Sequence, residues 1–444
     1  MNILDLQEFN IIDDKEDGDN RHIWVETVSS PPACMHCGSL PNFSKYGKKE
    51  QLFLDMPIRG KRVGIIVMRQ RYKCKECGGV FFEPLESMDD RRLMTKRLID
   101  FIEKDSIKHK YTEVAQAVGL DDKTIRNVFH DYVLRLEETI PRVFPTWLGI
   151  DEIHIIGKPR GVLTDIERRL MYDFTIERTK AVLDPYFLSV PRKDRERVQY
   201  VTMDMWKPYK DAVYEFFPNA KVIVDKYHVV KELNIIMDKM RKTYKDGLSK
   251  DELKQLKRDR YILRKRRHNL SMKDEIIFQT WQSQYPELYE AYMHKELFYE
   301  IYNDSINSAE AKQRFDEWKE NIPPYMRKYT KSFLTSLKNW ETEILNYFDC
   351  HLTNAFTEGL NNMIRSINKE GRGYSFDVLR AKILLAYGKA RVVKPTFRGA
   401  MKQRKRYKVA EASLHKLFKA VEDMVNGRYD EPLSDIKITS WSAG

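Results

Sequence analysis

One aspartate constrains this chain more than any other residue. Asp151 stands inside the apolar run Trp-Leu-Gly-Ile-Asp-Glu-Ile-His-Ile-Ile (147–156), which reads as a buried strand. A carboxylate in such a strand is costly to bury unless something pairs with it, and a divalent cation is the natural partner. Two further acids fit the same account. Asp204 closes another apolar run, Tyr-Val-Thr-Met-Asp (200–204). Glu358 lies on the polar side of an amphipathic helix, Thr-Asn-Ala-Phe-Thr-Glu-Gly-Leu-Asn-Asn (353–362), whose inward stripe is Phe356, Leu360, Ile364 and Ile367. Glu358, Asn361, Asn362 and Arg365 form another side, available to metal and phosphate.

The surrounding pattern predicts strands at 147–156, 161–166 and 170–176, then at 198–203 and 220–224. A helix over 207–217 has Pro208 in its first turn and is stopped by Pro218-Asn219. Asp225 ends the last strand, and a long helix begins near Tyr227. Three meander strands followed by alternating helix and strand is the order of an RNase H-like fold. There the first and fourth strands are neighbours, so Asp151 and Asp204 approach each other. Hard cations take oxygen ligands, and two ions about 4 Å apart can activate a water or a 3′-hydroxyl and stabilise the leaving oxygen. Asp151 and Asp204 suit the bridging role, with Glu358 completing the second site. Glu152 points away from Asp151 if the strand is regular. Asp225 is the rival acid, and Asp225-Lys-Tyr-His228 reads either as a cluster supporting the acids or contacting DNA, or, for His228, as packing at a helix start.

The charge is uneven. Net charge is +12, yet residues 1–30 hold eight acids against two bases. Residues 381–410 hold ten Lys or Arg and no acid, and residues 251–270 hold eight bases against three acids. Such segments favour a polyanion such as nucleic acid over solvated helix faces. Mean hydropathy is negative and no apolar run approaches a membrane span. Residues 1–20 are polar and acidic rather than a signal peptide, so the chain is expected to be soluble and intracellular.

Four of the five cysteines form two pairs, Cys34/Cys37 and Cys74/Cys77, with 36 residues between them that contain strand-like runs at 51–54 and 63–72. Each pair is followed by a glycine that permits a tight turn. Two knuckles joined by strands make a zinc ribbon with one structural Zn²⁺, favoured over disulfides in an intracellular chain. His36 is surplus to four sulfur ligands, and Cys350 stands alone as an ordinary half-buried thiol. Residues 111–133 then read as a helix-turn-helix. Val114, Ala115 and Val118 face inward, Gly119 turns, Leu120 is a buried staple, and Asp121 or Asp122 caps a second helix with Ile125, Val128 and Phe129 inward. Lys123, Thr124, Arg126 and Asn127 face out near its start, where a recognition helix meets DNA.

Taken together these motifs resemble the ISL3 family of insertion-sequence transposases, of the DDE class. The matching pieces are both cysteine knuckles, the helix-turn-helix, Gly-Ile-Asp-Glu-Ile-His (149–154), Val-Thr-Met-Asp-Met-Trp-Lys-Pro-Tyr (201–209), Val-Asp-Lys-Tyr-His-Val-Val (224–230), Thr-Asn-Ala-Phe-Thr-Glu-Gly-Leu-Asn (353–361) and Gly-Arg-Gly-Tyr-Ser-Phe (371–376). The resemblance covers nearly the whole chain and implies a triad of Asp151, Asp204 and Glu358. It implies two Mg²⁺ (or Mn²⁺) ions, cleavage and strand transfer at terminal inverted repeats, a dimer or larger synaptic assembly, and a bacterial cytoplasmic setting at the nucleoid. The implied architecture is α+β and multidomain. It comprises an acidic segment (1–30), a zinc ribbon (31–85), a helix-turn-helix domain (90–142), a first part of the RNase H-like core (143–240), a helical insertion (241–345), the core's C-terminal helices (346–426) and a tail (427–444). The insertion is rich in aromatics, Trp281, Tyr285, Tyr289, Tyr292, Phe298, Tyr299, Tyr302, Trp318 and Trp340, mostly core with one or two free to stack on an unpaired base. Competing readings are a DNA-binding regulator that has lost catalysis, and a nuclease that cuts without strand transfer.

Overall fold

Alternation of apolar and polar residues builds the first sheet. β1 (Phe9–Asp17) and β2 (Asn20–Thr27) form a hairpin about Gly18, and β2 runs parallel to β4 (Lys61–Cys74). β3 (Phe43–Ile58) pairs with β4 through Arg59-Gly60, both at positive φ as a tight hairpin requires. β5 (Val80–Phe82), β6 (Met88–Asp89) and β7 (Met94–Thr95) complete seven strands in this computed structural model, which describes residues 3–139, 143–244 and 248–388. The acidic opening is therefore not a segment apart. Ile23 and Val25 of β2 are wholly buried with Phe53, Val63, Ile65 and Val67, while the acids of β1 sit on an exposed edge. Arg21 pairs with Asp14 and holds its carboxyl below the usual range.

Three helices follow: α1 (Lys96–Asp105), α2 (Tyr111–Val118) and α3 (Asp122–Thr139). α2 ends at Gly119 in the left-handed region, and a side chain there would also collide with Arg62. Asp121 caps α3 by accepting from Thr124 N at 2.8 Å. Ile125, Val128 and Phe129 are buried, as are Val114, Ala115 and Val118. Leu120 is half-buried rather than a buried staple, because its N–H closes the α2 turn onto Ala115 O and leaves the side chain at the rim.

The second sheet carries the acids. β8 (Trp147–Ile155), β9 (Lys158–Asp165) and β10 (Leu170–Phe174) form an antiparallel meander. After α4 (Lys180–Ser189) and the short α5 (Arg192–Arg195), β11 (Tyr200–Met203), α6 (Lys207–Phe216) and β12 (Lys221–Val224) add two strands parallel to β8. The order is β10-β9-β8-β11-β12. Side-chain alternation divides its two faces. Leu148 and Ile150 join the core beneath α4, α6 and α7 (Lys226–Thr243), while Ile153 and Ile155 face the other way.

Among the described residues, seven α-helices lie between α7 and Glu358: α8 (Lys250–Arg258), α9 (Met272–Gln284), α10 (Pro286–Asp304), α11 (Ser308–Glu320), α12 (Arg327–Asn339), α13 (Glu341–Leu345) and α14 (Tyr347–Cys350). Their aromatic core is continuous with one face of the acid-bearing sheet. None of the nine insertion aromatics named from the sequence is exposed: eight are buried and Tyr289 is half-buried. They pack on one another, so no ring among them is left free for a base. α15 (Ala355–Gly371) and α16 (Phe376–Tyr387) cover the opposite face of the sheet, with Leu360, Ile364, Leu379 and Ile383 in its core. The predicted helices beyond 388, the tail and most of the basic run 381–410 lie outside the described residues. No helix among the described residues is long and apolar enough to cross a membrane.

α16 also anchors the three-helix unit. Lys382, 2% exposed, donates to Ser106 O and His109 O in the α1–α2 turn. The rings of Tyr111, Phe129 and Tyr374 surround its ammonium at 4.9, 5.4 and 5.0 Å. Arg380 reaches both Asp173 of β10 and Glu137 of α3 at 2.8 Å.

Candidate active site

Strand register explains why two acids 53 positions apart meet. Thr202 of β11 lies opposite Gly149 of β8, so two residues further on Asp204 stands beside Asp151. Met203 lies opposite Val224 of β12, which brings Asp225 next to Asp204. Asp204 and Asp225 thus follow the carboxyl ends of parallel strands, where open α/β sheets bind ligands, and Asp151 lies beside them within β8. α15 brings the fourth, Glu358, in its first turn.

Gly149 lets α15 come this close. A Cβ at that position would overlap Thr164 Oγ1 and lie 2.7 Å from Thr357 Oγ1 and 2.9 Å from Asn354 Oδ1. Those atoms belong to a buried bridge. Thr164 and Thr357 share a hydrogen bond at 2.7 Å, Thr202 Oγ1 donates to Asn354 Oδ1 at 3.1 Å, and Asn354 Nδ2 donates to Ile150 O at 3.1 Å. Gly149→Ala is expected to cost about 1–3 kcal/mol through this overpacking, read as a lowered denaturant midpoint. An unchanged midpoint would mean that the bridge yields freely.

Asp151 is buried, and Asn361 of α15 donates to its Oδ2 at 2.8 Å. Burial pushes the Asp151 carboxyl up to about 7, with the neighbouring Asp204 charge adding to the shift. His228, in the first turn of α7, places Nε2 2.7 Å from Asp204 Oδ1 and 3.8 Å from Glu358 Oε1. Burial opposes charging that ring, but the Asp204 carboxylate outweighs it and raises the imidazole above its usual pKa. Burial also raises Glu358, assisted by the Asp225 charge. Asp151, Asp204 and His228 each offer an atom within a cluster 4.8 Å across, while Glu358 stands one step further out beside His228.

Asp225 has a different surrounding. It caps α7 by accepting from Tyr227 N at 3.1 Å, and its second oxygen accepts from Asn354 N at 3.1 Å at the start of α15. It therefore ties together the two helices that carry His228 and Glu358. Glu152 points out of the cluster and pairs with Arg178, which lies 4.6 Å over the Trp206 ring. Tyr209, a core residue behind Asp204, donates to Asp151 O at 3.4 Å.

The cluster suits a hard cation. Asn361 Oδ1 is buried with no hydrogen-bond partner, and the neighbouring carboxylate charges help raise Asp151, Asp225 and Glu358, as happens where a compensating cation belongs. Asp151 and Asp204, with Glu358 beyond, would supply oxygen ligands of the kind that Mg²⁺ or Mn²⁺ prefers.

The cysteine site is separate. Cys34 and Cys77 sulfurs lie 3.8 Å apart, as do those of Cys37 and Cys74, and no cysteine is oxidised. Tetrahedral zinc with bonds of about 2.3 Å spaces its sulfurs by about this much. Gly38 and Gly78, both at positive φ, return their N–H groups to Cys34 O and Cys74 O, giving two matching knuckles. The backbone N–H of Cys77 leads the effects that lower the Cys74 thiol to about 6. His36 packs edge-on against Phe81 and meets Val80 O at 3.2 Å. The sulfur cluster fits one structural Zn²⁺.

Of the residues expected to meet DNA, Lys123, Arg126 and Asn127 are exposed at the start of α3. Thr124 is half-buried with its hydroxyl bonded to Asp121 at 2.7 Å. Arg365 is exposed on α15 beside Asn362. Sequence reasoning put Asn361 on the side available to metal and phosphate, without seeing its bond to Asp151, and left Asn354 without a role. Their signal was spacing, since both fall with Glu358 on one helical repeat.

Comparison with known proteins matches two regions of the chain and a relative along most of its length. Residues 30–77 match the zinc-finger of transposase IS204/IS1001/IS1096/IS1165. The transposase for insertion sequence element IS1001 of Bordetella parapertussis is 23% identical over 375 residues, covering 81% of this chain and 89% of that protein. Residues 148–383 match the ISL3-type DDE family described as Transposase. That match spans just over half the chain, from β8 into α16, and on that ground the chain belongs to the ISL3 family of DDE transposases.

Proposed function

We propose that this transposase cuts and joins DNA strands at a site formed by Asp151, Asp204 and Glu358 on an RNase H-like sheet. The observation that carries the reading is the register that sets Asp204 beside Asp151, with Glu358 entering from α15. Two Mg²⁺ or Mn²⁺ ions held there would supply a nucleophilic oxygen and stabilise the leaving one. The chain's own groups then orient the site. Asn361 fixes one oxygen of Asp151, and the other, which accepts from Glu152 N at 2.7 Å, has a lone pair left for a ligand. His228 holds Asp204 at 2.7 Å, and the acids around it favour its protonated form. Asp225 supports both helices rather than entering the reaction.

Recognition belongs, in this reading, to the ribbon and to α2–α3 as a helix-turn-helix that presents Lys123, Arg126 and Asn127 to the terminal inverted repeats, with Arg365 nearer the cut. Thr124 acts there as a capping partner. Full-length protein incubated with Mg²⁺ and DNA carrying an element end tests this directly: cutting at the end and joining to a second duplex is expected. Binding without cutting would leave a regulator, and cutting without joining a nuclease.

Asn361→Ala is expected to lower the cleavage rate about 10–100-fold, the usual effect of removing a group that orients a metal ligand. DNA affinity should be unchanged. A wild-type rate would remove Asn361 from the site.

A further inference from the structure

We propose that the face of α12 meeting the far end of α7 is a track for the phosphodiester backbone of the duplex leading away from the cut. This rests on the DNA-cleaving reading of the acid cluster. α7 begins in that cluster, with His228 in its first turn. Lys239 lies eleven residues on, which at 3.6 residues per turn returns it to the same side of the helix, about 16 Å away. Lys231 and Ile235 are exposed between them, and the Lys231 charge is felt at Glu358.

At the far end α12 closes one side of a groove of about 570 Å³. Lys328, Lys331, Ser332, Thr335 and Asn339 line it together with Lys239, over Trp340 as floor. Spacings of three and four place the α12 residues on one face. Among the described residues, Lys239, Lys328 and Lys331 enter no ion pair, whereas their neighbours Arg241 and Lys242 are held by Asp238. The other acid on this stretch of α7 is Glu232, whose carboxylate is bonded to Ser336 of α12.

The α12 face offers lysine, hydroxyl and amide donors and no carboxylate, with the half-buried Tyr329 ring under Lys328. Such groups contact phosphates and carry no base sequence. Duplex DNA rises about 3.4 Å per nucleotide, so about 16 Å along α7 corresponds to roughly five nucleotides from the scissile phosphate. The occupant is therefore backbone DNA, held without regard to sequence.

The test compares wild type, the K239Q/K328Q/K331Q variant, Lys331→Glu alone and Asp204→Ala, all full length. Affinity for end-bearing duplex is measured across a salt series. Three lost phosphate contacts should make the log–log salt slope shallower by about 2.7, at about 0.9 per contact. The difference should vanish on duplexes trimmed to fewer than about five nucleotides beyond the cut on that side, the length estimated above. Lys331→Glu should weaken binding in the same length-dependent way, and the lysine variants should melt as wild type does because those side chains are exposed. An unchanged slope overturns the proposal. So does a triple variant that keeps the slope but changes in mass, which would give the face to a second copy of the chain. Asp204→Ala separates the two readings: the slope should survive in it, and failure of wild type to cleave would sink the acid site while leaving the slope to judge the track.

Discussion

Asp204→Ala protein should bind end-bearing DNA as tightly as wild type and cut it at least about a thousandfold more slowly. Charge stabilisation by a metal site is worth several kcal/mol, and each 1.4 kcal/mol is a factor of ten in rate. The substitution removes the acid that lies between Asp151 and Asp225 in register and that His228 holds at 2.7 Å. Its side chain is 17% exposed and its backbone is set by the sheet, so the fold should persist. The comparison requires Mg²⁺ or Mn²⁺ in both arms, with binding measured separately by mobility shift. Unchanged cutting would mean that the three acids are not the working set.

The second large effect concerns the other cluster. Cys37→Ser should strip the protein of its zinc and abolish recognition of element ends while sparing the acid-bearing sheet. Structural zinc sites contribute about 10–16 kcal/mol of apparent binding energy, and a site with three thiolates loses much of it. The knuckles pack on their own small core of Tyr72, Phe81 and Phe43, distinct from the cores on either side of the second sheet. Loss should therefore appear as a changed metal content and a weakened mobility shift, with the main unfolding transition retained. Metal analysis giving one zinc per chain in the variant would refute the ribbon.

Much of the acid cluster was legible because β-structure has a period of two and parallel strands have a fixed register. Asp151 and Glu152 are adjacent in sequence, and alternation alone separates one from the other. The distance from Asp151 to Asp204 carried no such information; strand order supplied it. Asn354 was missed, and the burial of Asn361 against Asp151 was harder to see than its side of the helix. A polar residue on an amphipathic helix usually faces water, and only the closed packing of α15 on β8 makes these two buried donors. The acidic opening misled for the opposite reason. Its charge described an exposed edge strand, while the alternation Ile23, Val25 in the next strand described the buried one. The insertion's aromatics looked like candidate base platforms because composition does not say which rings face each other.

Asp225 has one last implication. Its two oxygens fasten Tyr227 and Asn354, so a stretch of well over a hundred residues leaves and re-enters the sheet at a shared stitch. Asn346 on Val222 O and Glu343 on Lys210 add ties near its far end. Helices between α7 and α15 can lengthen, shrink or change their outer surface among relatives without shifting Glu358 against Asp151, provided the stitch and the shared apolar lining are kept. Divergence should therefore be tolerated in the middle of that stretch and penalised at its two ends.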